Sequence, residues 1–352
     1  MSLSRRIKEL SPSSTLQITS LAKKLASEGL DVVSFGAGEP DFDTPEFIKE
    51  AAIEAIRQGF TKYTPSTGTI ELRKAIQEKF KKDNNLSYSL EQIVVSSGAK
   101  HSLYNIVVAL VDDNDEVIIP VPYWVSYPEM VKAAGGLSRF IVAKEENNFK
   151  ITPAELKKAI SQKTKVLIIN SPSNPTGVIY AKEELREIAE ICVENNIYII
   201  SDEIYEKLIY DGFEHVSIAS LTHEAYNLTF TVNGVSKAYS MTGWRIGYCA
   251  GPLEIVNAIK NLQDHSTSNP CSISQVAALK ALTTPDDWTR KMRSEFQARR
   301  DYLMKRIDAI PSLRYIKPEG AFYLFCQIAK TGLSAKEFSM RLLKEENVAV
   351  IP

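Results

Sequence analysis

The sequence predicts an α/β fold with a mainly parallel sheet, and two observations support this prediction. Short runs of β-branched and other apolar residues recur along the chain, and helix-like segments such as 182–196 separate them. Continuous apolar runs are typical of strands buried on both faces, as in parallel sheets. Strands that alternate with helices favour the α/β class. The runs are 93–95, 116–119, 166–169, 198–200 and 229–232.

The chain is predicted to form a large central domain and a smaller one. The alternating pattern spans residues 46–275, which we assign to the large domain. After it come long charged helices around a short strand, a pattern typical of an α+β lobe. We expect residues 1–45 and 276–352 to build this smaller domain together. The predicted helices are 289–309 and 334–346, and the predicted strand is 320–325.

Composition excludes several functional classes. Lys and Arg total 42 against 43 Asp and Glu, so nothing in the net charge points to nucleic acid or to an acidic membrane surface. The sequence has no run of about 18 apolar residues that could span a bilayer, and we expect a cytoplasmic protein with small-molecule ligands. The four cysteines are scattered and there are four histidines, so we expect neither disulfides nor a metal.

Four polar segments follow apolar runs. In open α/β sheets ligands bind beyond the carboxyl ends of the strands, so these segments are the candidate site. They are 97–100, 170–177, 202–205 and 236–237.

Lys237 carries the largest chemical prediction. A lysine after a strand is usually a solvated terminus, but here Ser236 precedes it and Arg245 follows in SKAYSMTGWRIGY. A hydroxyl and a guanidinium suit a phosphate, and a neighbouring cation lowers the amine pKa so that the amine can attack an aldehyde. Gly243 and Gly247 are expected to allow close backbone approach.

Gly98, Ala99 and Lys100 stand between a strand and a helix-like segment at 101–110. Backbone N–H groups at a helix N-terminus suit a phosphate. An ordinary strand-to-helix turn is the alternative, and this segment alone does not exclude it.

Asp202 ends an apolar run, where an unpaired carboxylate is costly. A pyridinium nitrogen is a suitable partner, and a helix N-cap is the alternative. Tyr205 and Asn174 suit hydrogen bonds to a phenolic oxygen of a cofactor that carries this pyridinium ring. The alternatives are that Tyr205 is a packed core residue and that Asn174 is an ordinary turn residue. Trp124 offers a face for ring stacking, although tryptophan is more often core.

Two N-terminal turns complete the candidate set. Gly36 and Gly38 lack the third glycine of a dinucleotide fingerprint. Gly38 instead suits a backbone N–H directed at a carboxylate, and Tyr63 in the turn 62–68 presents a hydroxyl. Plain turns are the alternative for both.

Taken together, these segments resemble the class I and II aminotransferases of pyridoxal 5'-phosphate (PLP) fold type I, in their aspartate aminotransferase-like branch. The resemblance covers nearly the whole chain and implies a mainly parallel seven-stranded sheet flanked by helices, with a smaller α+β domain from both chain ends. The motifs are GAGEPDFDTP (36–45), KYTPSTGTIELR (62–73), VPYWVSYPEM (121–130), NSPSNPTGVIY (170–180), SDEIYEKLIY (201–210), VNGVSKAYSMTGWRIGYCAGP (232–252) and PEGAFYLF (318–325).

The resemblance implies a role for each candidate. Lys237 is expected to hold PLP as a Schiff base and Asp202 to face its ring nitrogen. Asn174 and Tyr205 are expected at the phenolic oxygen, with the ring stacked on Trp124. The expected phosphate ligands are Gly98, Ala99, Lys100, Ser236, Arg245 and, from the second subunit of a homodimer, Tyr63. The expected substrate contacts are Gly38, Trp124 and Asn174.

The implied reaction moves an amino group between an L-amino acid, which we expect to be aspartate, and 2-oxoglutarate. The segment 10–15 lacks a cation for a second carboxylate, so aromatic amino acids or prephenate remain alternatives, as does a PLP-dependent lyase on this fold. A non-catalytic PLP-binding regulator would need a DNA-binding segment, for which the length leaves no room. The family places a carboxylate-binding arginine beyond the equivalent of Pro352, and we expect that segment to be missing from the record rather than from the protein.

Overall fold

The computed structural model describes residues 3–12, 14–36, 38–285 and 287–352. Its α-helices are α1 Arg5–Lys8, α2 Ser14–Ser27, α3 Glu46–Arg57, α4 Ile70–Asn84, α5 Ala99–Leu110, α6 Ser126–Ala134, α7 Pro153–Ala159, α8 Lys182–Glu194, α9 His223–Leu228, α10 Leu253–Asp264, α11 Ser272–Thr283, α12 Trp288–Ile307 and α13 Ala335–Glu346. Its strands are β1 Val33–Ser34, β2 Ile93–Ser96, β3 Glu116–Val121, β4 Leu137–Val142, β5 Thr164–Asn170, β6 Tyr198–Asp202, β7 Thr229–Gly234, β8 Gly247–Ala250, β9 Arg314–Tyr315, β10 Cys326–Gln327 and β11 Val348–Ala349.

In the described chain a seven-stranded sheet with the order β2-β8-β7-β6-β5-β3-β4 organises the fold. The pairs from β7 to β4 are parallel, whereas β8 is antiparallel to both β7 and β2. The predicted α/β class with a mainly parallel sheet is confirmed. All five predicted apolar runs lie in this sheet, and β4 and β8 are strands that the sequence did not predict.

The central strands are buried on both faces, which explains their continuous apolar sequences. Ile168 and Ile200 pack against α5 and α10 on one face, and Leu167 and Ile199 pack against α8 on the other. Successive side chains of a strand point to opposite faces, so a strand covered on both sides is apolar throughout. This double layer of helices leaves the strand ends as the place where polar side chains collect.

The two chain ends share a small hydrophobic cluster. Ile18 and Ala22 of α2 pack with Leu343 of α13 and Ala349 of β11. The short strands β1 and β11 pair in parallel. The predicted boundaries after residues 45 and 275 stay a prediction.

Two of the C-terminal predictions are confirmed and one is wrong. Helices α12 and α13 lie where helices were predicted. The predicted strand at 320–325 is absent from the described residues, since Gly320 forms an isolated bridge with Ile209 and regular pairing begins at Cys326. Ala321 has a φ of 57°, which interrupts an extended backbone.

None of the helices in the described part of the chain is long and apolar enough to cross a membrane.

Candidate active site

The four candidate segments lie at the carboxyl ends of strands of the same sheet. Segment 97–100 follows β2, segment 170–177 begins on the last residue of β5, segment 202–205 begins on the last residue of β6, and segment 236–237 follows β7. These four strands run in one direction, because β2 and β7 are each antiparallel to β8 and β5 to β7 are parallel. Their ends therefore share an edge of the sheet.

Lys237 is half-buried, and its Nζ donates a hydrogen bond to the carbonyl oxygen of Gly38. Its ammonium lies 5.5 Å from the centre of the Phe322 ring and 5.9 Å from that of Tyr205. Burial is the main reason that the pKa of this amine is lowered to about 8; the Glu39 carboxylate opposes this shift and the Arg245 guanidinium adds to it. A neutral amine is therefore accessible near neutral pH, which a nucleophile or a general base requires.

Asp202 is 4% exposed at the end of β6. Its Oδ2 accepts a hydrogen bond from the Tyr127 hydroxyl at 2.7 Å, and its Oδ1 accepts from the Ile204 N–H at 3.3 Å. Burial raises the pKa of this carboxyl to about 6, and the two hydrogen bonds oppose that rise. A turn rather than a helix follows Asp202, so the helix N-cap alternative is wrong.

Asn174, Tyr205 and Tyr323 lie together. The Asn174 Nδ2 lies 3.5 Å from the Tyr205 hydroxyl and 3.2 Å from the Tyr323 hydroxyl. The two tyrosine hydroxyls are 2.6 Å apart. Burial first, and then Tyr323, raises the pKa of Tyr205 well above its usual range. Both phenols therefore remain protonated at neutral pH and act as hydrogen-bond donors.

Trp124 lies between Lys100 and the Asp202 cluster. The Lys100 Nζ is 4.7 Å from the centre of the indole ring, and the ring of Tyr127 meets it edge-on at 5.4 Å. Trp124 is half-buried, so one part of the indole remains available to a ligand.

Gly98, Ala99 and Lys100 begin helix α5 beside Arg245. The Gly98 N–H donates to the Ser96 carbonyl oxygen at 2.7 Å, while Ala99 and Lys100 hold the first helical positions, whose N–H groups have no intrahelical acceptor. Gly98 has a φ of 89°, and a Cβ there would lie 2.3 Å from the Arg245 Nη2. Because Gly98 has no side chain, the N-terminus of α5 and the Arg245 guanidinium can lie close together. We call this arrangement of Gly98, Ala99, Lys100 and Arg245 the cradle.

The two nearby glycines behave differently. A Cβ on Gly247 would lie 2.0 Å from the Ala99 backbone nitrogen, so the expected close approach at Gly247 is confirmed. The same expectation for Gly243 is wrong, since a Cβ there would meet no described atom within 4 Å.

Arg245 itself is exposed and donates to the Thr242 carbonyl oxygen at 2.7 Å. Ser236 is 6% exposed beside Lys237.

The two N-terminal candidates are placed apart. Gly38 lies at the centre, because its carbonyl oxygen accepts from Lys237 and a Cβ on it would be 3.2 Å from the Tyr323 hydroxyl. Its neighbour Ala37, part of the first motif, lies outside the described residues. Tyr63 stands on the surface and is 92% exposed.

The site contains side chains that sequence reasoning missed. Tyr127 and Tyr323 contact the candidate residues directly, and the Glu39 carboxylate accepts from the Thr242 hydroxyl at 2.7 Å. Tyr127 is on α6, three residues after Trp124. A one-turn helical spacing from a predicted ring-stacking residue is the signal that would have found it.

A charged network lies behind Asp202 and Tyr205. Glu203, Glu206 and His215 bring their ligand atoms within 4.8 Å of one another. The space between them is already filled, because the Asn84 amide donates to both carboxylates, at 3.1 and 2.8 Å, and the Lys79 ammonium pairs with Glu206. These donors satisfy the carboxylates, so the cluster is an internal ion-pair network.

Comparison with known proteins agrees with this geometry. The family model "Aminotransferase class I and II" matches residues 30–352. An aspartate aminotransferase of Bacillus sp. (strain YM-2) is 54% identical, over 99% of this chain and 91% of the relative. A probable aspartate/prephenate aminotransferase of Aquifex aeolicus is 48% identical, over 99% and 90%.

Solved structures extend the likeness to the fold. The aspartate aminotransferase of Thermus thermophilus with maleate is 43% identical and superposes with a TM-score of 0.96, covering 100% of this chain and 91% of that one. An aromatic aminotransferase of Pyrococcus horikoshii is 44% identical with a TM-score of 0.89, covering 94% and 89%. The chain belongs to the class I and II aminotransferase family, and its activity is that of an aminotransferase.

Proposed function

We propose that this protein is a PLP-dependent aminotransferase that moves the amino group between aspartate and 2-oxoglutarate. The observation that carries the proposal is that the Lys237 amine, with its lowered pKa, interacts electrostatically with both the buried Asp202 carboxyl and the Arg245 guanidinium, which adjoins the helix cradle at Gly98. Relatives named aspartate aminotransferase at 50 to 54% identity support the substrate.

The residues present fit PLP. The cradle at Gly98, which a Cβ would fill, suits a phosphate together with the Arg245 guanidinium and the Ser236 hydroxyl. At the opposite end, the buried Asp202 carboxylate suits a protonated ring nitrogen. Ala99 and Lys100, the first residues of α5, are assigned to the same phosphate, and Trp124 is assigned to stacking on the ring.

When bound, PLP supplies an aldehyde carbon and an electron-withdrawing ring. Lys237 would hold the cofactor through Nζ, and after displacement by the incoming amino group its neutral amine would accept the substrate's α-proton and return it. A pKa of about 8 suits both tasks, because the amine is partly neutral near pH 7 and still basic enough to take a proton.

Asp202 would hold the ring nitrogen in its protonated form. A carboxyl with a pKa of about 6 is mostly ionised at pH 7, and a cation facing it lowers the pKa further. Tyr127 would keep this carboxylate oriented through its hydrogen bond at 2.7 Å. The Tyr205 hydroxyl and the Asn174 amide would donate to the phenolic oxygen, with Tyr323 holding Tyr205 in place.

The substrate side is assigned to Gly38, Trp124 and Asn174. Gly38 adjoins Lys237 and Tyr323, and Asn174 adjoins Tyr323, so these residues border the place where an amino acid would meet the Lys237 amine. Aromatic amino acids and prephenate remain the second candidate class, because relatives named for aspartate and prephenate also cover the chain.

The assembly and the location are part of the proposal. We propose a homodimer in which Tyr63 of one subunit reaches the cofactor phosphate of the other, in line with its 92% exposure on a single chain. The cytoplasmic location stays a prediction from the sequence.

The test of the cofactor assignment is direct. Protein loaded with PLP should show the visible band of lysine-bound cofactor, and borohydride should fix the cofactor to Lys237, identified by peptide mass. A Lys237→Ala variant should form no reducible adduct, while Lys182→Ala, at an exposed position on α8, should behave as wild type. A reducible adduct in Lys237→Ala would contradict the assignment.

A second experiment addresses the reaction and the substrate. Aspartate should convert bound PLP to its pyridoxamine form, and 2-oxoglutarate should reverse the change. Release of ammonia or pyruvate would favour the lyase alternative. Faster conversion by phenylalanine or tyrosine than by aspartate would favour the aromatic class.

A further inference from the structure

Two fully buried glutamines fasten the loop that follows Tyr63. The Gln275 Nε2 on α11 donates to the Thr64 hydroxyl at 2.9 Å, and its Oε1 accepts from the Thr69 N–H at 2.8 Å. The Gln263 Nε2 on α10 donates to the Ser66 carbonyl oxygen at 2.5 Å. Both glutamines are 0% exposed. The two glutamines hold the loop at three points, and the Val95 N–H of β2 holds it at a fourth by donating to the Thr67 carbonyl oxygen at 3.0 Å, although Tyr63 beside the loop projects into solvent.

Gln263 also binds the structure beneath the phosphate cradle. Its Oε1 accepts from the Ser96 hydroxyl at 2.7 Å and from the Asn105 Nδ2 at 3.3 Å, and its Nε2 donates to the Val95 carbonyl oxygen at 2.8 Å. Ser96 is the last residue of β2, and Asn105 lies on α5. A primary amide offers two donors and two acceptor positions, and Gln263 uses all four.

We propose that Gln263 is a positioning residue that couples the two active sites of a dimer. The proposal rests on the proposed function, including the shared site to which Tyr63 contributes. In that dimer each cradle receives Tyr63 from the other subunit. The Gln263 side chain then fixes the position of the cradle in its own subunit through its hydrogen bond with Ser96. Through its hydrogen bond with Ser66 it also fixes the position of the loop that is presented to the partner.

Gln275 is the matched comparison. Its side-chain hydrogen bonds within the described chain join it to Thr64, Thr69 and Pro270, and none of these residues belongs to β2 or α5. Loss of Gln275 therefore loosens the presented loop alone. Loss of Gln263 loosens the loop and also leaves buried donors on Ser96 and Asn105 without their acceptor.

The experiment measures PLP affinity in homodimers and in hybrid dimers. Gln263→Met and Gln275→Met subunits are each paired with differently tagged Lys237→Ala subunits. In a hybrid, the subunit that retains Lys237 receives Tyr63 from a partner whose glutamines are intact. Both variant homodimers should bind PLP on the order of tenfold more weakly than wild type. The Gln275→Met hybrid should regain wild-type affinity at its intact lysine. The Gln263→Met hybrid should recover only in part, because its partner supplies an intact loop while its own cradle stays loosened.

Three outcomes would overturn the coupling. They are wild-type affinity in the Gln263→Met homodimer, full recovery in its hybrid, and, in a separate arm, full recovery in a Ser96→Ala hybrid. Ser96→Ala removes the hydrogen bond between Ser96 and Gln263 and leaves Gln263 in place. This variant therefore tests the coupling if Gln263→Met does not fold. A wild-type protein that bound no PLP or stayed monomeric would reject the proposed function and this inference together. A wild type that binds PLP and transaminates, combined with any of the three outcomes, rejects the inference alone.

Discussion

The two ends of the candidate site are constructed differently. The end around Asp202 consists of buried side chains that hydrogen-bond one another, with Asp202 and Tyr205 each 4% exposed. The end around Gly98 consists of a helix N-terminus and the exposed Arg245 guanidinium. Burial shifts the pKa values at the first end, whereas at the second the absence of side chains provides the space. Substitutions at the buried end should therefore change reaction rate, and those at the helix end should change cofactor affinity.

The largest expected effect is that of Asp202→Asn. The amide keeps the shape of the side chain but cannot hold a proton on the ring nitrogen, so we expect aminotransfer to slow on the order of 1,000-fold. Cofactor affinity should change little, because the phosphate end is intact. Single-turnover kinetics with aspartate and a PLP titration measure the two quantities. Unchanged turnover would show that Asp202 serves the backbone turn at Ile204 instead.

Gly98→Ala should weaken cofactor binding and leave the reaction rate nearly unchanged, the opposite of Asp202→Asn. The new Cβ would lie 2.3 Å from the Arg245 Nη2 at a φ of 89°, so Arg245 must move and the backbone is strained. We expect PLP to bind about 10- to 100-fold more weakly, with a near-normal rate at saturation. Gly243→Ala, where a Cβ meets no described atom within 4 Å, is the control and should bind PLP normally. Equal effects at both glycines would contradict the cradle.

Tyr127→Phe should move the acid limb of the pH–rate profile. The Tyr127 hydroxyl donates to the Asp202 carboxylate and so lowers its pKa from the level that burial imposes. Without that bond the pKa rises, and activity should be lost at a pH higher by about one unit. Tyr323→Phe, whose hydroxyl bonds Tyr205 and Asn174, should leave that limb in place. A shift to lower pH in Tyr127→Phe would refute this.

The smallest expected effect concerns Glu39. Capture of PLP by the apoprotein should accelerate as pH rises through about 8, because the neutral Lys237 amine is the nucleophile. The Glu39 carboxylate raises that pKa, so Glu39→Gln should move the curve to lower pH, by ~0.5 unit at low salt, since Glu39 is exposed. Glu54→Gln on α3 is the control. A shift to higher pH would contradict the assignment.

The sequence predicted five of the seven strands of the sheet and missed β4, at one edge, and β8, which lies between β2 and β7. Strands β5, β6 and β7 contain the buried runs 166–169, 198–200 and 229–232 because both faces are covered, whereas β4 is largely exposed and Ser138 and Arg139 interrupt its apolar residues. Strand β8 begins with Gly247, whose value lies in close packing rather than strand propensity. The segment 320–325 has a strand-like composition, but the φ of 57° at Ala321 interrupts its extended backbone.

Within the site, local sequence patterns predicted some residues and missed others. The placement of Asp202 and Lys237 at this edge of the sheet was predictable from position along the chain, because Asp202 ends a strand and Lys237 follows one. Tyr127 contacts Asp202 across 75 residues of sequence, and Tyr323 contacts Tyr205 across 118. Contacts at such separations depend on how the helices and the 318–325 segment pack, which local patterns do not encode.

The position of β8 has a consequence for the order in which the protein becomes functional. Strand β2, the first of the sheet along the chain, joins it through β8, the last. The Gly98 cradle and Arg245 therefore come together once β8 is inserted between β2 and β7, joining groups such as Ser97 and Arg245 that are 148 residues apart. On the proposed function, binding of the PLP phosphate would require this pairing, so PLP would stabilise by mass action those chains whose sheet is complete.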